Sequence, residues 1–208
     1  MMQKLVLTIV AIAAAITVAP ALAADPKFYG VASVGRSTID ASPGAINAFA
    51  ASNGAPPSNT SNSSNDVGWK LQLGYQMTNS FALEGGYTSL GRAKYIISNT
   101  AYTLSGEKKA DLFNLDLVGR AEINPSFSLL GRLGAYRWQT KSDLPFATGL
   151  RNVSENGTDI KFGVGAQYDF TQNFALRGEF ERYNGVGKVT TTGDSKVNLF
   201  SIGAVLKF

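Results

Sequence analysis

Apolar and polar residues alternate with a period of two along most of this chain. In the segment that begins at Trp69, the odd positions are apolar, whereas the even positions carry Lys70, Gln72 and a glycine. Because successive side chains of a β-strand point to opposite faces, this period predicts strands with one apolar face and one polar or small face. The same residues scatter in helical projection, which disfavours a helix. Segments with this alternation begin at Trp69, Phe81, Phe113, Ile160, Phe174 and Phe200.

Eight strand candidates and two classes of connector follow from the pattern. Residues 28–39 and 127–141 complete the set of eight. Three connectors are tight turns of turn-forming residues, at 78–80, 124–126 and 171–173. Four are long and rich in Ser, Asn, Gly, Thr and Pro, at roughly 41–64, 92–107, 142–157 and 184–195. Strict alternation of short and long connectors places all short turns at one end, which is typical of an eight-stranded antiparallel up-and-down β-barrel in a bacterial outer membrane.

Periodicity alone leaves open which face of the barrel meets solvent. A lipocalin turns its apolar face inward, whereas a membrane barrel turns it outward. Three observations favour the membrane: glycine and charges of both signs on the polar face, an apolar last strand that ends on an aromatic residue, and aromatic residues near the short turns, as an interfacial girdle requires. These aromatic residues are Tyr75, Phe81, Phe127, Tyr168, Phe170 and Phe174.

The first residues have the features of an export signal. Lys4 precedes an apolar run from Leu5 to Val18, and the small-residue pattern of a signal peptidase site ends at Ala23. The run is shorter than the ~20 residues that span a bilayer as a helix, which disfavours a retained anchor. We expect residues 1–23 to be a cleaved signal peptide and residues 24–208 to form one outer-membrane β-barrel domain.

Composition excludes several classes of chemistry. The chain has no cysteine and no histidine, so it lacks thiol chemistry and the commonest general base and metal ligand. We expect no catalytic residues, no cofactor and no metal. The net charge of +4 is scattered, so we expect no nucleic-acid partner. Charged residues on the polar face are instead expected to pair inside a crowded lumen; they are Lys70, Glu84, Asp116, Arg120, Arg132, Lys161, Arg177, Glu179 and Glu181.

Several of these segments together resemble the OmpA-like transmembrane barrel family. The similar stretches are EGGYTSLGR (84–92), GRLGAYRW (131–138), GVGAQY (163–168), LRGEF (176–180) and SIGAVLKF (201–208). In many members of that family a peptidoglycan-binding domain follows the barrel, whereas here the resemblance stops at the last strand. We therefore infer no cell-wall tether from the resemblance.

The resemblance also implies roles for particular residues. Glu84, Arg132 and Arg177 match family positions that face the lumen, and with Glu179 they form the expected ion-pair network. Gln167 stands where the family often has an acid. The resemblance further implies a monomer that is delivered by periplasmic chaperones and inserted by the barrel-assembly machinery. That machinery reads the aromatic last strand, for which Phe200, Ile202, Leu206 and Phe208 are the expected signal.

The leading functional interpretation is an outer-membrane protein of a Gram-negative bacterium that supports the envelope and displays its long loops. Its surroundings would be outer-membrane lipid and lipopolysaccharide. Two alternatives stay open: a narrow pore for ions or small solutes, and an adhesin or host-interaction protein whose loops bind an unknown extracellular ligand.

Overall fold

The computed structural model describes residues 27–41, 59–63, 65–98, 103–146, 149–186 and 195–208. The signal peptide predicted at 1–23 lies outside these residues. In the described part of the chain, no helix is long and apolar enough to cross a membrane. The described strands are β1 (Phe28–Ala41), β2 (Asn59–Ser63), β3 (Asn65–Gln76), β4 (Phe81–Ser98), β5 (Thr103–Asn124), β6 (Phe127–Phe146), β7 (Gly149–Asp169), β8 (Phe174–Val186) and β9 (Ser195–Lys207).

These strands form one antiparallel sheet that closes on itself. From β3 to β9 each strand pairs with the next one in the chain, β1 pairs with β3, and β9 returns to pair with β1. The segments β2 and β3 occupy a single strand position, because both pair with β4: β3 along residues 82–89 and β2 along residues 94–98. The nine segments therefore make eight barrel strands, and the predicted fold is confirmed.

The short turns lie where the sequence predicts them, and side chains hold them. In the first turn, the Thr78 hydroxyl accepts hydrogen bonds from the backbone N–H groups of Ser80 and Phe81, at 3.3 and 3.0 Å. Thr171 plays the same part in the third turn, with the same two distances. In the second turn the acceptor is the Asn124 side-chain oxygen. Such hydrogen bonds are the reason why Thr and Asn favour turns.

Two of the predicted long loops are wrong in extent. Residues 92–98 pair with 103–109, and residues 141–146 continue the pairing of β6 with 149–154 of β7. The predicted loops 92–107 and 142–157 are therefore mostly strand. Backbone hydrogen bonds can extend a hairpin beyond the bilayer, where water meets both faces and no apolar alternation is needed. Most of the first loop and residues 187–194 lie outside the described residues.

The apolar face of the barrel points outward. Leu73, Phe113, Val164 and Phe200 are 57%, 68%, 65% and 63% exposed, whereas the charged residues on the opposite face are buried. This orientation excludes a lipocalin-like barrel in water.

Outward aromatic rings contact each other in two groups. One group lies at the short turns and includes Tyr168 and Phe170, with ring centroids 4.9 Å apart. The other lies further along the strands and was not predicted; it comprises Trp69, Tyr87 and Phe113.

Candidate functional site

Eight charged side chains meet in the middle of the barrel, and we call them the charged layer. Every one of them is buried, and they come from six strands, β3 to β8. Each acid lies within 4 Å of at least two cations, and each cation contacts at least two acids. The acids are Glu84, Asp116, Glu179 and Glu181, and the cations are Lys70, Arg132, Lys161 and Arg177.

Arg132 lies at the centre of the charged layer. Its guanidinium donates to the carboxylates of Glu84 and Glu179, both at 2.6 Å, and to that of Asp116 at 2.9 Å. Glu84 is also bound by Arg177, 2.6 Å away. The four residues that the sequence analysis assigned to a network, Glu84, Arg132, Arg177 and Glu179, thus lie in direct contact. With four acids and four cations, the charged layer has no net formal charge.

Neutral side chains complete the layer, and of these the sequence analysis named Gln167 but neither Tyr29 nor Asn114. The Tyr29 hydroxyl donates to Glu84 at 2.7 Å, and the Asn114 amide donates to Asp116 at 2.7 Å. Gln167, at a position where the related family often has an acid, accepts a hydrogen bond from Arg177 Nε at 3.0 Å. Strand parity places Tyr29 on the inward face, but a tyrosine among apolar neighbours gives no further signal of its partner.

Apolar side chains cover the charged layer on both sides. On the side of the short turns, the turn-side layer consists of Tyr29, Val31, Ala82, Val118, Leu130, Ala175 and Val205. On the opposite side, the far-side layer consists of Leu90, Ala110, Leu112, Tyr136, Trp138, Tyr183, Val186, Val197 and Leu199. In the far-side layer, the rings of Tyr136 and Tyr183 meet edge to face with centroids 5.3 Å apart. Sequence analysis expected a polar lumen and did not predict either layer.

The short-turn end of the barrel contains a cavity of about 490 Å³ that extends inward as far as Arg177. Arg120, one of the predicted lumen charges, lies at this mouth and not in the charged layer. It donates to Asp169 at 2.8 Å, and Lys207 binds the other oxygen of the same carboxylate at 2.7 Å. The mouth is therefore polar, whereas its floor belongs to the turn-side layer.

The described residues contain no group of three or more acidic, histidine or cysteine side chains arranged to hold a metal ion. In the charged layer each carboxylate is already bound by cations. Such an arrangement neutralises buried charge.

A closed barrel with an outward apolar face and a filled interior matches a known family. Residues 8–208 match the model of the family described as outer membrane protein beta-barrel domain. The chain belongs to this family. As a member of the outer membrane protein beta-barrel family, it is an integral protein of the Gram-negative outer membrane.

Individual relatives agree with the family match. Outer membrane protein A of Shigella flexneri is 28% identical over an alignment of 211 residues, which covers 100% of this chain and 56% of that protein. The chain spans about half, or less, of the length of the curated relatives it matches. Among solved structures, OprG of Pseudomonas aeruginosa superposes with a TM-score of 0.57 at 13% identity, covering 88% of this chain and 97% of the other. The attachment invasion locus protein of Yersinia pestis has a TM-score of 0.53 at 19% identity, with 88% and 99% covered.

Of the four residues expected to form the assembly signal of this family, three lie on the outer face of β9 and Phe208 directly follows that strand. Phe200, Ile202 and Phe208 are exposed, and Leu206 is half-buried. The strand that carries them closes the barrel between β8 and β1. The backbone N–H of Phe208 donates to the carbonyl oxygen of Phe28 at 2.8 Å. These residues are therefore accessible from the lipid side along the whole closing strand.

Proposed function

We propose that this chain is a closed, non-catalytic barrel that strengthens the outer membrane and displays the connections between its hairpins at the cell surface. The observation that carries the proposal is the filled lumen, in which the charged layer lies between two apolar layers. An eight-stranded barrel encloses little more space than its own side chains occupy. A continuous path for water or solutes would have to pass the charged layer and the far-side layer.

The charged layer favours a permanent structural element. Separating charges from water is expensive, and removing one partner from a buried pair costs about 3–5 kcal/mol because the other charge is left uncompensated. In this barrel, removal of Glu84 would affect two arginines together, since both Arg132 and Arg177 bind it at 2.6 Å. The balanced charges therefore hold strands β4, β6 and β8 in a single arrangement.

The cavity at the short-turn end is the feature that a narrow pore would share. It reaches Arg177 and has a polar mouth. Beyond Arg177, however, ions would meet the charged layer and then the far-side layer, in which Tyr136, Trp138 and Tyr183 are 3% exposed or less. A transport role would require both layers to open together, so a structural role is the better account.

The partners of this barrel follow from its location in the outer membrane. We propose that residues 1–23 are removed on export, that periplasmic chaperones and the barrel-assembly machinery deliver and insert the chain as a monomer, and that its lipid contacts include lipopolysaccharide. An extracellular ligand of the displayed connections would be bound in addition to this structural role. Binding of host surfaces by variants with shortened connections would measure that activity.

Conductance in planar bilayers tests whether the lumen is closed. We expect the wild-type protein to carry no steady current. Glu84→Ala should lower the free energy of unfolding by about 3–5 kcal/mol, yet it should conduct little, because the far-side layer is intact. Trp138→Ala should likewise conduct little, because the charged layer is intact. The double variant should show a clear increase in current.

Glu122→Ala is the matched control for Glu84→Ala. The Glu122 side chain is 55% exposed at the short-turn end and lies 3.5 Å from Arg120, so its loss should change neither stability nor current by much. Gel mobility of unheated samples would establish that each variant is folded. A large, steady current through the wild-type barrel would contradict the proposal.

A further inference from the structure

Two arginines face outward where the apolar surface of the barrel ends, away from the short turns. Arg36 on β1 follows the exposed Val34, and Arg182 on β8 follows the exposed Phe180. Between them lies β9, with Phe200 paired to Arg36 on one side and to Phe180 on the other. Both arginines therefore border one continuous apolar wall that spans three adjacent strands.

Among the described residues, neither arginine has an acidic residue beside it in the strand register. In the strand register, Arg36 lies between Val67 and Phe200, and Arg182 lies between Phe162 and Asn198. No ion pair joins either arginine to another residue in the described ranges.

On the opposite side of the barrel, Arg137 of β6 is also exposed, in register with Phe113 and Thr158, whereas the outward cation of β5 has an acidic partner. There, the outward-facing Lys109 is 2.9 Å from the carboxylate of Asp111 on the same strand. Arginine side chains that border a bilayer reach toward the headgroups, where they need an anionic partner. On β5 the protein supplies that partner, whereas on β1 and β8 the described residues do not.

The spacing of the two arginines suits a ligand with phosphate groups. Their Cα atoms lie two strand spacings apart across the sheet and two residues apart along the strand direction, a separation of about 12 Å. Two arginine side chains across this gap can converge on one phosphate or bind two neighbouring phosphates. Guanidinium groups bind phosphate oxygens through paired hydrogen bonds, and the apolar wall below suits the acyl chains of the same molecule.

We infer that Arg36 and Arg182 form a binding site for the phosphorylated glucosamine headgroup of lipopolysaccharide in the outer leaflet, with Phe200 against its acyl chains. The inference rests on the proposed orientation, in which the short turns lie in the periplasm. It assigns the lipid contact of the barrel to one side, β8–β9–β1, and to two named side chains.

Binding of purified lipid A by the folded protein tests this site. The protein would be held in a neutral detergent and titrated with bisphosphorylated lipid A, with bound lipid counted by native mass spectrometry. The variant Arg36→Gln/Arg182→Gln should bind about tenfold more weakly or worse, because several charge-assisted hydrogen bonds are lost. Lys109→Gln, which removes an outward cation that is already paired, should bind like the wild type.

Two further ligands identify what the arginines recognise. Dephosphorylated lipid A should bind the wild type as weakly as bisphosphorylated lipid A binds the double variant. Inorganic phosphate should compete poorly, because it cannot contact the apolar wall. Equal binding by the wild type and the double variant, or of lipids with and without phosphate, would overturn the inference, and so would inorganic phosphate that competes as well as lipid A. Gel mobility and conductance test the closed barrel independently of lipid binding. A failure of this inference would therefore leave the proposed function standing.

Discussion

Gly134 shows how closely the lumen is packed at single residues. A Cβ atom at this position would lie 1.8 Å from Asp116 Oδ1 and 2.8 Å from the carbonyl oxygen of Leu115. Asp116 pairs with Gly134 in the register and binds Arg132 and Lys161 at 2.9 and 3.0 Å. Glycine thus makes room for a carboxylate that must stay in contact with two cations.

Gly134→Ala should therefore destabilise the barrel. The added methyl group pushes Asp116 away from its cations and presses against backbone, and overpacking of this kind typically costs about 1–3 kcal/mol. Gly131→Ala on the same strand is the matched control, because its Cβ would face open space. Urea unfolding of both variants in lipid vesicles measures the difference. A Gly134→Ala variant as stable as Gly131→Ala would contradict the close packing.

At the scale of elements, β9 differs from the other strands because it completes the ring. Its residues from Ser195 to Leu206 pair with β8, and those from Ser195 to Lys207 pair with β1. Closure satisfies the backbone groups of both neighbours, which lipid cannot do. A defect at the end of β9 therefore affects insertion as well as local stability.

Deletion of Phe208 should reduce the amount of assembled protein in the outer membrane. The deletion removes an exposed aromatic residue and the hydrogen bond that its N–H donates to Phe28. The comparison is a deletion of several residues between 50 and 57, which precede β2 and contribute no described strand. Quantified outer-membrane fractions of the two variants give the result, and equal yields would show that Phe208 is not part of the assembly signal.

At the scale of the whole molecule, closure and layering act together. The additional pairing of β4 with β5 closes the ring, in which β2 pairs with β4 alone and every other described strand pairs on both sides. The strands β1 to β9 surround an interior of one charged and two apolar layers. Because every described strand except β2 has two neighbours, none of these strands can leave the sheet without exposing backbone groups of both neighbours to lipid or detergent. The barrel should consequently unfold as one unit.

Protein extracted from membranes should run at a different gel position before and after boiling. Without heating, the closed barrel resists the detergent and stays compact, whereas boiling separates its strands. Electrophoresis of unheated and boiled samples measures the shift. Identical mobility of the two samples would count against a closed barrel.

Local rules made much of this fold predictable. The period of two at Trp69 and Phe113 identified strands, and Thr78, Asn124 and Thr171 marked turns, because strand parity and turn hydrogen bonds depend on residues near each other in the chain. The parity also placed Glu84 and Arg132 on the inward face. Strand ends were less predictable, since the hairpins extend through polar residues that carry no alternation.

The contacts inside the barrel depended on tertiary structure. Arg177 and Glu84 are 93 positions apart, and Lys70 and Glu181 are 111 positions apart. Parity says that these side chains face inward, but only the register and closure of the strands decide which of them lie at the same height. For the same reason the two apolar layers and the part played by Tyr29 were not predicted. Sequence therefore determined strands, turns and faces, whereas closure of the sheet decided the partners.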